Sequence, residues 1–136
     1  MNDCVFCKII ARQLAADIVY EDEHCIAFLN NMPVNPGHML VTPKAHTEAF
    51  RTVSEDALQA LIVVSQKMAA AARKATDAPA INLFTNDGEE AGQVIKHLHF
   101  HIIPRFADDG CHHWPGTPYA DGEAQKMLAK IQKALG

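Results

Sequence analysis

Three histidines alternate with apolar residues in the run His97-Leu98-His99-Phe100-His101-Ile102-Ile103. Side chains of an extended strand alternate between its two faces. The run therefore predicts Leu98, Phe100 and Ile102 facing a core, with His97, His99 and His101 on the other face, spaced about 7 Å apart. Two chemistries use such a cluster. In one, neutral imidazoles bind a metal. In the other, one imidazole attacks phosphorus while its neighbours hold the oxygens. The flanks favour phosphorus. Asn86-Asp87-Gly88 and Ala91-Gly92-Gln93 precede the strand, and glycine-bearing turns let backbone N–H groups approach a phosphate closely. A catalytic zinc would more often recruit a carboxylate, and this strand has none.

The four cysteines are Cys4, Cys7, Cys25 and Cys111. Cys4-Val5-Phe6-Cys7 has the spacing of half a zinc knuckle, of a redox dithiol, or of two small buried residues. Cys25 lies in an apolar strand and reads as core. Met1-Asn2-Asp3-Cys4 has neither a basic segment nor a long apolar run, so a cytoplasmic protein with reduced thiols is expected. Leu58 to Val64 is too short to cross a bilayer. The net charge of −4 argues against a non-specific nucleic-acid binder, though not against a small anionic ligand.

The elements that must position these groups follow from patterning. Cys4 to Ala15 predicts a short helix or turn, and Ile18 to Tyr20 and Cys25 to Leu29 two strands. Pro33, Pro36 and Gly37 form a loop. His38 to Thr42 is a third strand stopped by Pro43. Ser54 caps a long helix whose stripe is Leu58, Leu61, Ile62, Ser65, Met68, Ala69 and Ala72. Ile81 to Thr85 and Val94 to Ile103, closed by Pro104, complete five strands. Ala107 to Asp121 is an irregular loop containing Trp114. A last amphipathic helix has Ala124, Met127, Leu128, Ile131 and Leu135 on one face. This order favours one α+β domain over residues 1–136, with an antiparallel sheet and two main helices.

The triad run resembles the motif of the histidine triad family. So do Cys4-Val5-Phe6-Cys7-Lys8-Ile9, Ala27 to Asn30 through Pro36-Gly37-His38 to Pro43-Lys44-Ala45-His46, and Asn86 to Arg105. The resemblance implies a five-stranded antiparallel sheet that joins its partner's into ten strands in a homodimer. It implies a hydrolase or transferase acting on the α-phosphate of a purine nucleotide conjugate. His99 would be the nucleophile, the His97 carbonyl would set its tautomer, and His101 and His38 would donate to phosphate and leaving group. Asn86, Gln93 and the backbone of Gly92 and Val94 would surround the phosphate. Asn30 would bind ribose, and Phe6, Ile9 and Phe28 would wall the base. Val94 departs from the family pattern, in which Ser or Thr offers a hydroxyl. Bacterial members of similar sequence place a structural zinc on the positions of Cys4, Cys7, His46 and His97.

Both the Hint branch and the fragile-histidine-triad branch are resembled. A nucleoside phosphoramidate is thus the leading substrate class and a dinucleoside polyphosphate the first alternative. A non-catalytic nucleotide-binding regulator and a metal-dependent hydrolase are the others. Trp114-Pro115 either reaches a partner's site, as in a related branch, or covers the core.

Overall fold

The computed structural model describes residues 3–136. The order of elements is α1 (Val5–Ile10), β1 (Ile18–Glu21), β2 (Cys25–Leu29), β3 (Met39–Pro43), α2 (Glu55–Thr76), β4 (Ala80–Phe84), β5 (Phe100–Arg105) and α3 (Glu123–Leu135). The strands form one sheet in the order β1-β2-β3-β5-β4, and every neighbouring pair is antiparallel. The expected α+β class and five-stranded antiparallel sheet are what the structure shows.

Alternation along the strands builds two cores. Cys25, Ala27, Met39, Val41, Phe100 and Ile102 face α2 and meet Leu61, Val64, Met68 and Ala72. Ile26, Phe28 and Leu40 face the other way and meet Phe6 and Ile9 of α1. Ser54 Oγ accepts from Ala57 N–H at 3.2 Å and starts α2, and Ser65, the polar member of its stripe, donates to the Leu61 carbonyl at 2.7 Å. The stripe includes Val64 rather than Ile62: Ile62 and its neighbour Val63 are exposed. Cys25 is core, as expected, and burial pushes its thiol up to about 11.

Two strand ends differ from the sequence reading. Pro104 lies inside β5 instead of closing it. It is tolerated because the ladder to β3 ends at Met39↔Ile102, so no partner there needs the N–H that proline lacks. The start of β5 differs more. Regular pairing begins at Phe100, and residues 97–99 are held from the side. Thr42 Oγ1 donates to the Leu98 carbonyl at 2.6 Å, Thr85 Oγ1 to the His99 carbonyl at 2.8 Å, and Leu98 N–H to the Thr47 carbonyl at 2.7 Å. Alternation nevertheless carries through this entry, since Leu98 joins Phe100 and Ile102 in the α2 core.

Gly37 fixes the loop ahead of β3. Its φ is +92°, and a Cβ there would stand 2.9 Å from Thr76 Cγ2 and 3.1 Å from Pro104 Cγ. Gly37→Ala is expected to cost about 2 kcal/mol from left-handed strain and overpacking, read as a lower urea midpoint with unchanged slope. An unchanged midpoint would show that the loop yields freely.

The segment from Phe106 to Gly122 contains no helix or strand. Trp114 in it is 87% exposed, so it does not cover the core. α3 buries none of its residues, and Leu128, Ile131 and Leu135 are exposed together. No helix among the described residues is long and apolar enough to cross a membrane.

Candidate functional site

The histidine face serves two clusters, with His97 reaching the thiols of Cys4 and Cys7. His97 is fully buried, with its ring 4.9 Å from that of His46. His99 and His101 remain together, centroids 4.9 Å apart, and His38 joins His101 at 5.3 Å. The three-histidine face expected from alternation is present: Leu98, Phe100 and Ile102 pack in the α2 core, and the rings of His97 and His99 both stand edge-on to Phe6 on the other side, at 5.9 and 5.0 Å.

Backbone contacts fix the tautomers. The Pro43 carbonyl lies 2.8 Å from His97 Nε2 and accepts its N–H, so Nδ1 carries the lone pair. The His97 carbonyl lies 2.7 Å from His99 Nδ1. His99 therefore donates from Nδ1 and keeps a lone pair on Nε2. Val34 N–H donates to His38 Nδ1 at 3.1 Å, which puts the His38 proton on Nε2. That proton points to His101 Nδ1, 3.1 Å away, and leaves His101 with an N–H on Nε2. Asn30 Nδ2, 3.4 Å from His38 Nε2, adds no bond in this tautomer. Among the described residues no buried side-chain nitrogen or oxygen lacks a partner, so the unbonded Nε2 atoms of His99 and His101 are the accessible ones.

Both rings line a cavity of about 440 Å³. Phe6, Ile9, Phe28 and Leu40 wall it, and Asn30, Gly92 and Val94 also line it. The Phe6 ring stands edge-on to His99 at 5.0 Å, and Phe84 stacks on His101 at 4.7 Å and 13°. The expected base wall and phosphate end thus share one cavity. His38, however, lies behind His101 and not in the cavity.

The phosphate loop also differs from expectation. Gln93 is buried, its Oε1 accepting from Gly88 N–H at 2.9 Å and its Nε2 donating to the carbonyls of Glu48 at 2.7 Å and Ile95 at 3.2 Å. It braces the loop and has no free polar atom for phosphate. Asn86 Nδ2 donates to the Gly92 carbonyl at 3.3 Å and does not line the cavity. Gly92 N–H and Gln93 N–H bond Glu89 and Gly88 carbonyls. Among the described residues, Val94 N–H has no acceptor, and the Val94 side chain is 86% exposed.

Burial lowers the basicity of His99 and His38. For His101, burial and then the charges of His99 and His38 push the pKa down to about 4. All three are neutral at pH 7. Because the folded value of His101 lies below the ordinary 6.5, its contribution to stability is complete above pH 6.5 and is lost as pH falls from there to about 4. The expected loss at pH 4.5 is about 3 kcal/mol at most. Urea midpoints of wild type and His101→Gln should converge over that interval; parallel curves would contradict the assignment.

The second cluster joins Cys4, Cys7, His46 and His97, whose ligand atoms all lie within 4.8 Å of one another. Cys4 Sγ is 3.4 Å and Cys7 Sγ 3.6 Å from His97 Nδ1, and Cys7 Sγ is 3.3 Å from His46 Nδ1. The edges of a tetrahedral zinc site with thiolate and imidazole ligands are about 3.3–3.8 Å, given its bond lengths. The four residues therefore fit a closed tetrahedral ion. Burial, then the hydrogen bond and charge of Cys4, raise the Cys7 thiol above its usual value, an effect that a bound dication reverses. Of the remaining histidines, His24, His112 and His113 are exposed.

The HIT domain family model matches residues 11–108. A crystal structure of a HIT family member from Bacillus subtilis superposes with a TM-score of 0.91 at 37% identity, covering 98% of each chain. A zinc-bound histidine triad family protein from Mycobacterium smegmatis superposes with a TM-score of 0.77 at 31% identity, again over 98% of each chain. An adenylylsulfatase of Arabidopsis thaliana is 40% identical over 104 residues, which are 76% of this chain and 53% of that protein. The chain belongs to the HIT domain family.

Proposed function

We propose that this protein hydrolyses a purine nucleotide conjugate at its α-phosphate, through a nucleotidyl intermediate on His99. The observation that carries the proposal is the fixed tautomer of His99: Nδ1–H is held by the His97 carbonyl, and the Nε2 lone pair stands in a cavity with an apolar wall. The base packs against Phe6, Ile9 and Phe28, and Asn30 Oδ1 accepts from a ribose hydroxyl. His99 Nε2 attacks phosphorus, forming a P–N bond as the bond to the leaving group breaks. Water then attacks the same phosphorus, the P–N bond to His99 breaks, and the mononucleotide departs.

His101 Nε2–H and Val94 N–H donate to the phosphate oxygens and stabilise their developing charge. The neutral His38–His101 relay has hydrogen bonds to offer but no proton to release. Val94 supplies no hydroxyl. The leaving group must therefore be one that solvent protonates, as for a phosphoramidate nitrogen, or one that needs no proton, as for a polyphosphate. This keeps dinucleoside polyphosphate hydrolysis as the second reading. Likeness to an adenylylsulfatase supports chemistry at an adenylyl phosphorus.

Zinc, when bound, supplies cross-linking only. Cys4, Cys7, His46 and His97 complete its coordination and leave no open position for substrate. The free edge of β4 and the uncovered apolar stripe of α3 support a homodimer of this single cytoplasmic domain. The test is a panel comparing adenosine 5′-phosphoramidate, diadenosine polyphosphates and adenylyl sulfate, with acid-quench trapping of labelled protein. An adduct on His99 with any of the three supports the reading. Nucleotide binding without turnover of any panel member would leave a binding protein instead.

A further inference from the structure

The loop that carries His38 is tied down at a place no sequence motif marks. In the segment after β5, the Asp109 carboxylate accepts five hydrogen bonds. They come from Arg105 Nε at 2.6 Å and Nη2 at 3.1 Å, Phe106 N–H at 3.1 Å, Cys111 N–H at 3.0 Å, and Asn35 Nδ2 at 3.0 Å. The Asp109 side chain is only 4% exposed. Arg105 also donates from Nη1 to Asn82 Oδ1 of β4 at 2.6 Å and from Nη2 to the Cys111 carbonyl at 3.1 Å. The Arg105 guanidinium, with backbone donors behind it, holds the Asp109 carboxyl far below the usual carboxylate range.

Asn35 connects this knot to the site. Its Nδ2 also donates to the Pro104 carbonyl at 2.8 Å, at the end of β5. Its own carbonyl accepts His38 N–H at 3.0 Å. Its neighbour Val34 supplies the N–H on His38 Nδ1, the contact that sets the tautomer. A continuous path of bonded groups thus runs from Arg105 and Asp109 through Asn35 and His38 to His101 Nδ1.

We propose that Asn35, anchored by the Asp109–Arg105 pair, is a positioning residue that fixes the His38 tautomer and so turns the His101 Nε2–H into the nucleotide cavity. The consequence for catalysis rests on the reading above that His101 donates to phosphate; the consequence for the tautomers does not. Removing the anchor frees the loop to pivot at Val34, and His38 Nδ1 then loses its fixed donor. Misplacing a group by about 1 Å can cost up to about a hundredfold in rate.

The test uses the full chain and two variants, Asn35→Ala and the milder Asn35→Ser. Imidazole ¹⁵N correlation spectra of the substrate-free protein report which ring nitrogen carries each proton. Wild type should show His38 and His101 each as a single Nε2–H tautomer. In Asn35→Ala, His101 should show both tautomers in exchange. Turnover of the best panel substrate should fall about tenfold with KM within about twofold, and Asn35→Ser should lie between. If the variants melt earlier but keep the single tautomers, the knot is only structural and the proposal is overturned. A mixed-tautomer wild type would overturn it equally. If the wild type turns over no substrate in the panel, the function fails and the spectra alone decide this relay; Asn35→Ser decides should Asn35→Ala not fold.

Discussion

Replacing His99 with alanine should lower the rate of nucleotide release from adenosine 5′-phosphoramidate by at least about 10³-fold, since removal of a nucleophile leaves only binding and electrostatic stabilisation. Nucleotide affinity should change little. The base wall of Phe6, Ile9 and Phe28 does not depend on the imidazole, although Phe6 loses an edge-on neighbour at 5.0 Å. The fold should survive with a loss of a few kcal/mol, because His99 lines a cavity and belongs to neither apolar core. Single-turnover kinetics with calorimetric binding of adenosine monophosphate separate the two effects. A variant that keeps the wild-type rate, or an adduct trapped on His101, would remove His99 from the nucleophile's role.

Cys7→Ser should act in the opposite sense, large on stability and small on chemistry. Wild type purified without chelator should contain about one zinc per chain. The variant should contain little, and its melting temperature should drop by more than about 10 °C, given that structural zinc contributes about 10 kcal/mol or more where it couples to folding. The turnover number of folded variant should stay within about threefold, because none of the four metal ligands lines the cavity and the His97 carbonyl reaches it only through His99. KM should rise several-fold. Cys4 and Cys7 bracket Phe6, so loss of the ion loosens the helix that walls the base. Elemental analysis finding no metal in wild type would refute the site. Collapse of turnover at unchanged stability would instead favour a metal-dependent hydrolase.

The triad, the glycine turns and the Cys4-x-x-Cys7 pair were all readable in the sequence, because each is a short pattern whose chemistry lies in residue type and spacing. The tautomers of His97, His38 and His101 were not. They rest on contacts between distant parts of the chain: the Pro43 carbonyl lies 54 residues from His97, and His38 meets His101 across 63 residues. The position of Gln93 and Asn86 points to phosphate, yet their amides hold backbone groups of Gly88, Ile95 and Gly92 in the loop and of Glu48 outside it. The Asp109–Asn35 bond carries no mark in the sequence. Its partners stand 74 residues apart, and an acidic residue in a polar loop carries no local mark of burial. Cys4 and Cys7 lie before the matched residues 11–108, so the family match by itself does not reach them.

The distance along the chain between the thiols and His97 has a consequence for biosynthesis. Cys4 and His97 are 93 residues apart, so at about 5–20 residues per second the ribosome makes the thiols roughly 5–20 s before the last ligand exists. During that interval Cys4 and Cys7 form an uncapped dithiol on a nascent chain, with His46 as the third ligand to be synthesised. The α2 face of the sheet, by contrast, draws most of its apolar contacts from residues 25–72. Collapse onto α2 can therefore begin before the metal cluster is complete. For the proposed zinc to bind, the nascent chain must reach His97 with both thiols reduced, which would tie the yield of metal-loaded protein to the thiol redox state at the exit tunnel.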